Sequence, residues 1–254
     1  MPFVPPLSSN YIHEDFYELL RYLGPAFNLA WCNASDQKGQ QDASSGRYAT
    51  NEEFIRNTLV FAYQSIGLMT YGIHRPYIAK LLELIPNQFP VTVLDYGAGG
   101  GQLGLALHTL GFVVSFADMN SQSLNFLQWR LRERRLNLPV YILDMPDLEI
   151  PHHDVCACFD VIEHCDPDAQ LSIIHKCAEI GDTVFVNLIR DDREKSHKLH
   201  FPIDMDGLTN YVSANWPTWY QDYYPDDNGV FRQRLLIYGE GVKLNVVTTT
   251  TSAV

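Results

Sequence analysis

Five carboxylates and a histidine, Asp95, Asp118, Asp144, Asp160, Glu163 and His164, have the types and spacing of groups that meet a ligand. Each acid follows a short apolar run that reads as a β-strand, and open sheets bind ligands outside the carboxyl ends of their strands. Beside the first acid runs a glycine loop, Asp95-Tyr96-Gly97-Ala98-Gly99-Gly100-Gly101-Gln102-Leu103-Gly104. Glycines let the backbone turn sharply off a strand and approach a ligand with no Cβ in the way. The helix that follows offers free N–H groups at its start. A nucleoside is the ligand class such a loop suggests.

Two cofactor chemistries compete for that loop. Gly99-x-Gly101-x-x-Gly104 fits a dinucleotide fingerprint, and Asp118 lies near the expected separation of about 20 residues, so NAD is permitted by spacing alone. Charge argues against it. Asp95 stands two residues before Gly97, where a pyrophosphate would come close, and five acids on one rim are a poor host for two phosphates. They suit a cationic sulfonium, an ammonium and ribose hydroxyls. The rim prefers a positive nucleoside without phosphate.

Asp95-Tyr96-Gly97-Ala98-Gly99-Gly100-Gly101 resembles the Asp-x-Gly-x-Gly-x-Gly motif of class I S-adenosylmethionine-dependent methyltransferases. Asp160-Val161-Ile162-Glu163-His164 resembles the Asp-Val-Leu-Glu-His segment of their ubiquinone-biosynthesis-like branch. The similarity covers about residues 90 to 190. It implies S-adenosyl-L-methionine as cofactor, with Gly97, Gly99 and Gly101 passing beneath its methionine part. Asp118 would accept both ribose hydroxyls and Met119 would lie against the adenine face. Asp144 would accept the adenine amino group, with the Met145 backbone beside the ring, and Asp160 would sit near the methionine end.

Methyl transfer from a sulfonium is an in-line displacement, so the protein mainly positions the partners and excludes water. A base is needed when the nucleophile must lose a proton. His164 is the first candidate and Glu163 the second, with His197 and His200 further along the chain. Asp160, Glu163 and His164 also resemble part of the metal site of small-RNA 2′-O-methyltransferases, which a downstream histidine would complete. The expectation is nonetheless metal-free, because that histidine falls in an irregular segment. The expected reaction moves the methyl group to an oxygen, or nitrogen, of a small molecule. An NAD-dependent oxidoreductase and a non-catalytic cofactor-binding module are the alternatives.

An alternation of strands and helices has to position these groups, which argues for a parallel sheet. The strands are Val91 to Tyr96, Val113 to Ala117, Val140 to Leu143, Val155 to Phe159 and Thr183 to Leu188. Helices run over Leu103 to Leu110, Ser121 to Arg135 and Ala169 to Glu179. The fold class is therefore α/β, a Rossmann-like sheet over 89–254 with a helical N-terminal cap over 1–88. In that cap, helices are expected from His13 to Leu23, from Asn51 to Leu68 behind a Thr50–Glu53 capping box, and from about Arg75 to Leu84. These N-terminal helices, with Tyr71 and His74 before the core, are placed to cover the cofactor as a lid. After a polar loop at Asn33 to Arg47 and an aromatic cluster from Trp216 to Tyr224, two strands, Arg232 to Tyr238 and Lys243 to Thr248, are expected to form an antiparallel edge hairpin. The aromatics would stack on a flat substrate or pack on the sheet.

Composition narrows the partners. The 254 residues carry a net charge of -12, so a phosphate backbone would be repelled by most of the surface and nucleic acid is excluded as a partner. The run from Arg130 to Arg135 reads as the polar face of one helix. The five cysteines include no Cys-x-x-Cys pair, which suits reduced thiols in a cytoplasmic protein. No stretch reads as an export signal or a membrane span. The acceptor and the oligomeric state stay open.

Overall fold

The computed structural model describes residues 9–27, 45–63, 75–85, 90–191, 201–223 and 231–241. Seven strands form one sheet: β1 (Thr92–Tyr96), β2 (Val113–Asp118), β3 (Val140–Ile142), β4 (His153–Cys158), β5 (Gly181–Asp191), β6 (Thr218–Tyr223) and β7 (Phe231–Tyr238). Their order is β3-β2-β1-β4-β5-β7-β6. The first five are parallel, and β7 runs antiparallel between β5 and β6. The central strands read as near-continuous apolar runs because both of their faces are covered.

Seven helices of the described residues cover those faces: α1 (Ser9–Leu23), α2 (Asn51–Asn57), α3 (Arg75–Leu84), α4 (Gln102–Thr109), α5 (Gln122–Glu133), α6 (Pro167–Ile180) and α7 (Met205–Asn215). One core layer joins α3, α4 and α5 to the sheet through Leu81, Leu105, Leu127 and Phe116. The other joins α6 and α7 through Ile174, Cys177, Leu208 and Val212. The starts of α5 and α6 are capped by side chains: the Ser121 hydroxyl accepts from Leu124 N–H at 3.1 Å, and the Asp166 carboxylate from Ala169 N–H at 2.9 Å.

From β1 the chain steps outward to β2 and β3, then returns to place β4 on the other side of β1. The order therefore reverses between β1 and β4, and a crevice opens beyond their carboxyl ends. Both the glycine loop after β1 and the Asp160–His164 segment after β4 lead into it.

Four readings of the sequence are corrected. The helix expected over residues 51 to 68 is broken after Asn57 and resumes over 60–63, with 64–68 outside the described residues; at the break Asn57 and Thr58 turn their side chains to the backbone. The Asn57 amide donates to the Glu53 carbonyl at 2.7 Å, and the Thr58 hydroxyl accepts from Val60 N–H at 3.2 Å. The capping box is only half as expected: Thr50 accepts from Glu53 N–H at 3.0 Å, but Glu53 reaches back to Ala49 N–H at 2.7 Å. The hairpin exists with a different partner. Strand β7 pairs with β6, built from the aromatic segment, and with β5 on its other side, so its ladders are taken. Lys243 to Thr248 lie outside the described residues, as do 28–44, Tyr71, His74, His197 and His200.

The fourth correction concerns the arginine run. Arg130 is 0% exposed and does not face solvent. Its guanidinium meets Asp15, Glu18 at 2.7 Å and the Gly100 carbonyl at 2.6 Å. Arg134 joins the same two acids of α1 at 2.6–2.9 Å. Two opposed pairs satisfy one another, which is how charges tolerate burial. Leu19 packs beside them against Phe126.

Candidate functional site

The crevice widens into a cavity of about 410 Å³, within the range of small-molecule sites. The glycine loop forms its floor. Gly97, Gly99 and Gly101 all have positive φ, at 76°, 52° and 76°. A Cβ on Gly97 would lie 2.1 Å from Val161 Cγ2, so the turn after β1 passes this close to the turn after β4 only as glycine. Asp95 is buried beneath, accepting the Gly104 N–H at 2.9 Å.

Asp118 closes β2, and its Oδ2 accepts the Gly99 N–H at 2.5 Å. Burial pushes this carboxyl up to about 6, against the lowering pull of the Gly99 and Met119 N–H groups; the Asp144 charge adds to the rise. Met119 and Asp118 both line the cavity.

Asp144 and Met145 stand elsewhere. Both are exposed and neither lines the cavity. Asp144 is gripped by the Arg56 guanidinium, at 2.9 Å for one oxygen, and accepts the Asn120 N–H at 2.8 Å. The Arg56 guanidinium, bonded to its oxygens, holds the Asp144 carboxyl below its ordinary value. Asp144 thereby ties α2 to the loop after β3 and stands apart from the residues that line the cavity.

Asp160 follows β4 in a left-handed conformation, φ 57°, strain that non-glycine residues rarely hold without support. Asn187 of β5 supplies the support. Its oxygen accepts the Asp160 N–H at 2.7 Å and its amide donates to the Asp160 carboxylate at 2.5 Å. Asp160 and His164 line the cavity, and the His164 ring stands edge-on to Phe61 at 5.4 Å between centroids.

Glu163 is placed differently from its expected role as a base. It is 1% exposed and absent from the cavity wall, and its Oε2 has no hydrogen-bond partner. Burial, with the Asp160 charge beside it, raises its carboxyl well above the usual range. Buried and off the cavity wall, Glu163 does not face an acceptor held in the cavity, whereas its neighbour His164 lines that wall. Among the described residues no group of three or more His, Cys, Asp or Glu side chains could hold a metal ion.

Residues 93–181 match the family model of a methyltransferase domain. The matched stretch holds both the glycine loop and the Asp160–His164 segment, so this part of the chain is similar to a methyltransferase domain. The ubiquinone biosynthesis O-methyltransferase of Salmonella paratyphi A is 30% identical over 124 residues, which is 46% of this chain and 50% of that protein. That of Proteus mirabilis is 33% identical over 120 residues, 44% of this chain and 47% of that protein. The chain spans about half the length of these curated relatives. The fold extends further. The structure of magnesium protoporphyrin IX methyltransferase from Synechocystis PCC 6803 with bound SAH superposes with a TM-score of 0.57 at 14% identity, covering 89% of this chain and 99% of that one. Haemophilus influenzae TehB gives 0.54 at 21% identity, covering 70% and 66%.

Three residues of the site escaped the sequence reading. Asn187 interrupts the apolar run Val184-Phe185-Val186, and a lone amide inside a buried strand was a signal that it has a polar partner. Gln102 sat unremarked at the end of the glycine run. Arg56 left no trace, since only folding sets it beside Asp144, 88 residues away.

Proposed function

We propose that this chain transfers a methyl group from S-adenosyl-L-methionine to an oxygen, or nitrogen, of a small molecule held in the cavity. The observation that carries the reading is Asp118: a carboxylate at the end of β2, tied to the glycine loop through Gly99 N–H and facing the cavity. It suits paired ribose hydroxyls, while the neighbouring acids discourage phosphate. The two curated relatives named above are O-methyltransferases by name, which favours an oxygen acceptor.

When bound, the cofactor supplies an already activated methyl group. The chain's part is then to orient and to exclude water. Phe61, Phe159 and Phe201 supply an apolar wall for a flat acceptor. His164 at the same wall would take the acceptor's proton as it attacks. Asp160, locked by Asn187, would hold a positive group at the far side. No helix of the described residues is long and apolar enough to cross a membrane.

Calorimetry with S-adenosylhomocysteine and with NAD tests the cofactor, followed by mass spectrometry of small phenols, carboxylates and amines incubated with S-adenosylmethionine. Binding of the first ligand alone, with methylation of an oxygen acceptor, is expected. NAD binding without S-adenosylhomocysteine binding would sink the proposal.

A further inference from the structure

Gln102 is 4% exposed, opens α4 and lines the cavity, yet neither its Oε1 nor its Nε2 has a hydrogen-bond partner. An amide that surrenders water on both ends and gains nothing is costly to bury. An apolar side chain of the same length would serve the free fold better. The amide is also not loose. A Cβ on Gly100 would lie 2.9 Å from its Oε1, 3.3 Å from its Nε2 and 3.3 Å from the Phe126 ring. Gly100 thus leaves the space in which the amide rests.

Two further orphans share the wall. The Ser123 hydroxyl on α5 and Oδ1 of Asn51 on α2 are likewise buried without partners. Unpaired polar atoms from three separate elements converge on one cavity, and the simplest account is a polar ligand group that completes them.

We infer that Gln102 recognises the α-amino-acid end of the nucleoside ligand, its Nε2 donating to the carboxylate and its Oε1 accepting from the ammonium. An amide is donor and acceptor a few ångströms apart, the pattern a zwitterion presents. A carboxylate at this position would repel one half of that zwitterion, and a lysine would repel the other. Asp160 across the loop adds a second acceptor for the ammonium. This inference rests on the cofactor reading above, but it asks which part of the cofactor the residue touches.

The test compares two ligands that share adenosine and sulfur. S-Adenosylhomocysteine carries the amino-acid end, and 5′-methylthioadenosine lacks it. In Gln102→Met, calorimetry should show affinity for S-adenosylhomocysteine reduced on the order of ten- to a hundredfold, the worth of hydrogen bonds to charged groups. Affinity for methylthioadenosine should not change. Gln102→Glu should show the same selective loss, and it keeps the polarity of the site should the methionine variant fold poorly. The free Gln102→Met protein should resist urea at least as well as wild type. Equal losses for both ligands, or none for either, would overturn the inference while leaving the cofactor reading intact. Failure of wild type to bind S-adenosylhomocysteine would end both.

Discussion

Replacing Arg130 with methionine is the sharpest perturbation of the architecture behind the site. Methionine keeps much of the stem and removes the charge. Wild type balances Arg130 and Arg134 against Asp15 and Glu18, all but Arg134 nearly closed to water. The variant would leave two buried carboxylates facing one guanidinium and would strip the Gly100 carbonyl of its 2.6 Å donor. Breaking a buried pair by removing one partner costs about 3–5 kcal/mol. For a chain of this size that is a fall in melting temperature of about 6–20 °C. Urea unfolding followed by circular dichroism reads the change directly. The pH dependence gives a second check. Burial raises the Asp15 carboxyl despite both arginines, so Asp15 favours the folded state at low pH and opposes it as pH rises through its folded pKa. The gap between variant and wild type should therefore narrow on acidification, when a protonated Asp15 no longer needs its partner. Glu18 moves the other way: burial pushes it up, but its bonds to Arg134 and Arg130 outweigh burial and lower it. A loss under about 1 kcal/mol, the scale of an exposed pair, would refute the argument. So would an equal loss when Asp15 and Glu18 are first made neutral, because a double-mutant cycle would then find no coupling.

Two further outcomes bear on the cavity. With the free Asp118 carboxyl near pH 6 and the bound ligand's hydroxyls favouring its ionised form, affinity for S-adenosylhomocysteine should fall about tenfold between pH 7 and pH 5; a flat profile in wild type, or an unchanged slope in Asp118→Asn, would exclude the role given to Asp118. Glu163→Gln should keep its turnover, since Glu163 lies buried off the cavity wall, and should gain stability relative to wild type as pH rises, because burial raises the Glu163 carboxyl and its ionisation opposes folding. His164→Ala, by contrast, should lose about 10²–10⁴-fold in kcat; the reverse pattern in this pair would return the base to Glu163.

Local chemistry wrote much of this protein directly into its sequence. The strand–helix alternation, the glycine turn, the caps at Ser121 and Thr50 and the acids at strand ends depend on neighbours a few residues apart, so periodicity and composition display them. The strands β1, β2, β4 and β5 appear where their apolar runs stand, and the glycine loop turns where Gly97 permits it. Contacts between distant segments were another matter. Whether Arg130 faces water or Asp15, 115 residues away, depends on where α1 docks, and helical periodicity reports only that one face is charged. Asp144 looked like its fellow acids until Arg56 of α2 filled its oxygens. Glu163 and His164 are adjacent in sequence, yet the short turn between β4 and α6 sends one side chain into the protein and the other to the cavity. Strand β7 showed its own pattern but not its partners, because pairing is settled by which neighbour has a free edge. Charge, burial and pairing are properties of surroundings, and the surroundings exist only once the chain has closed on itself.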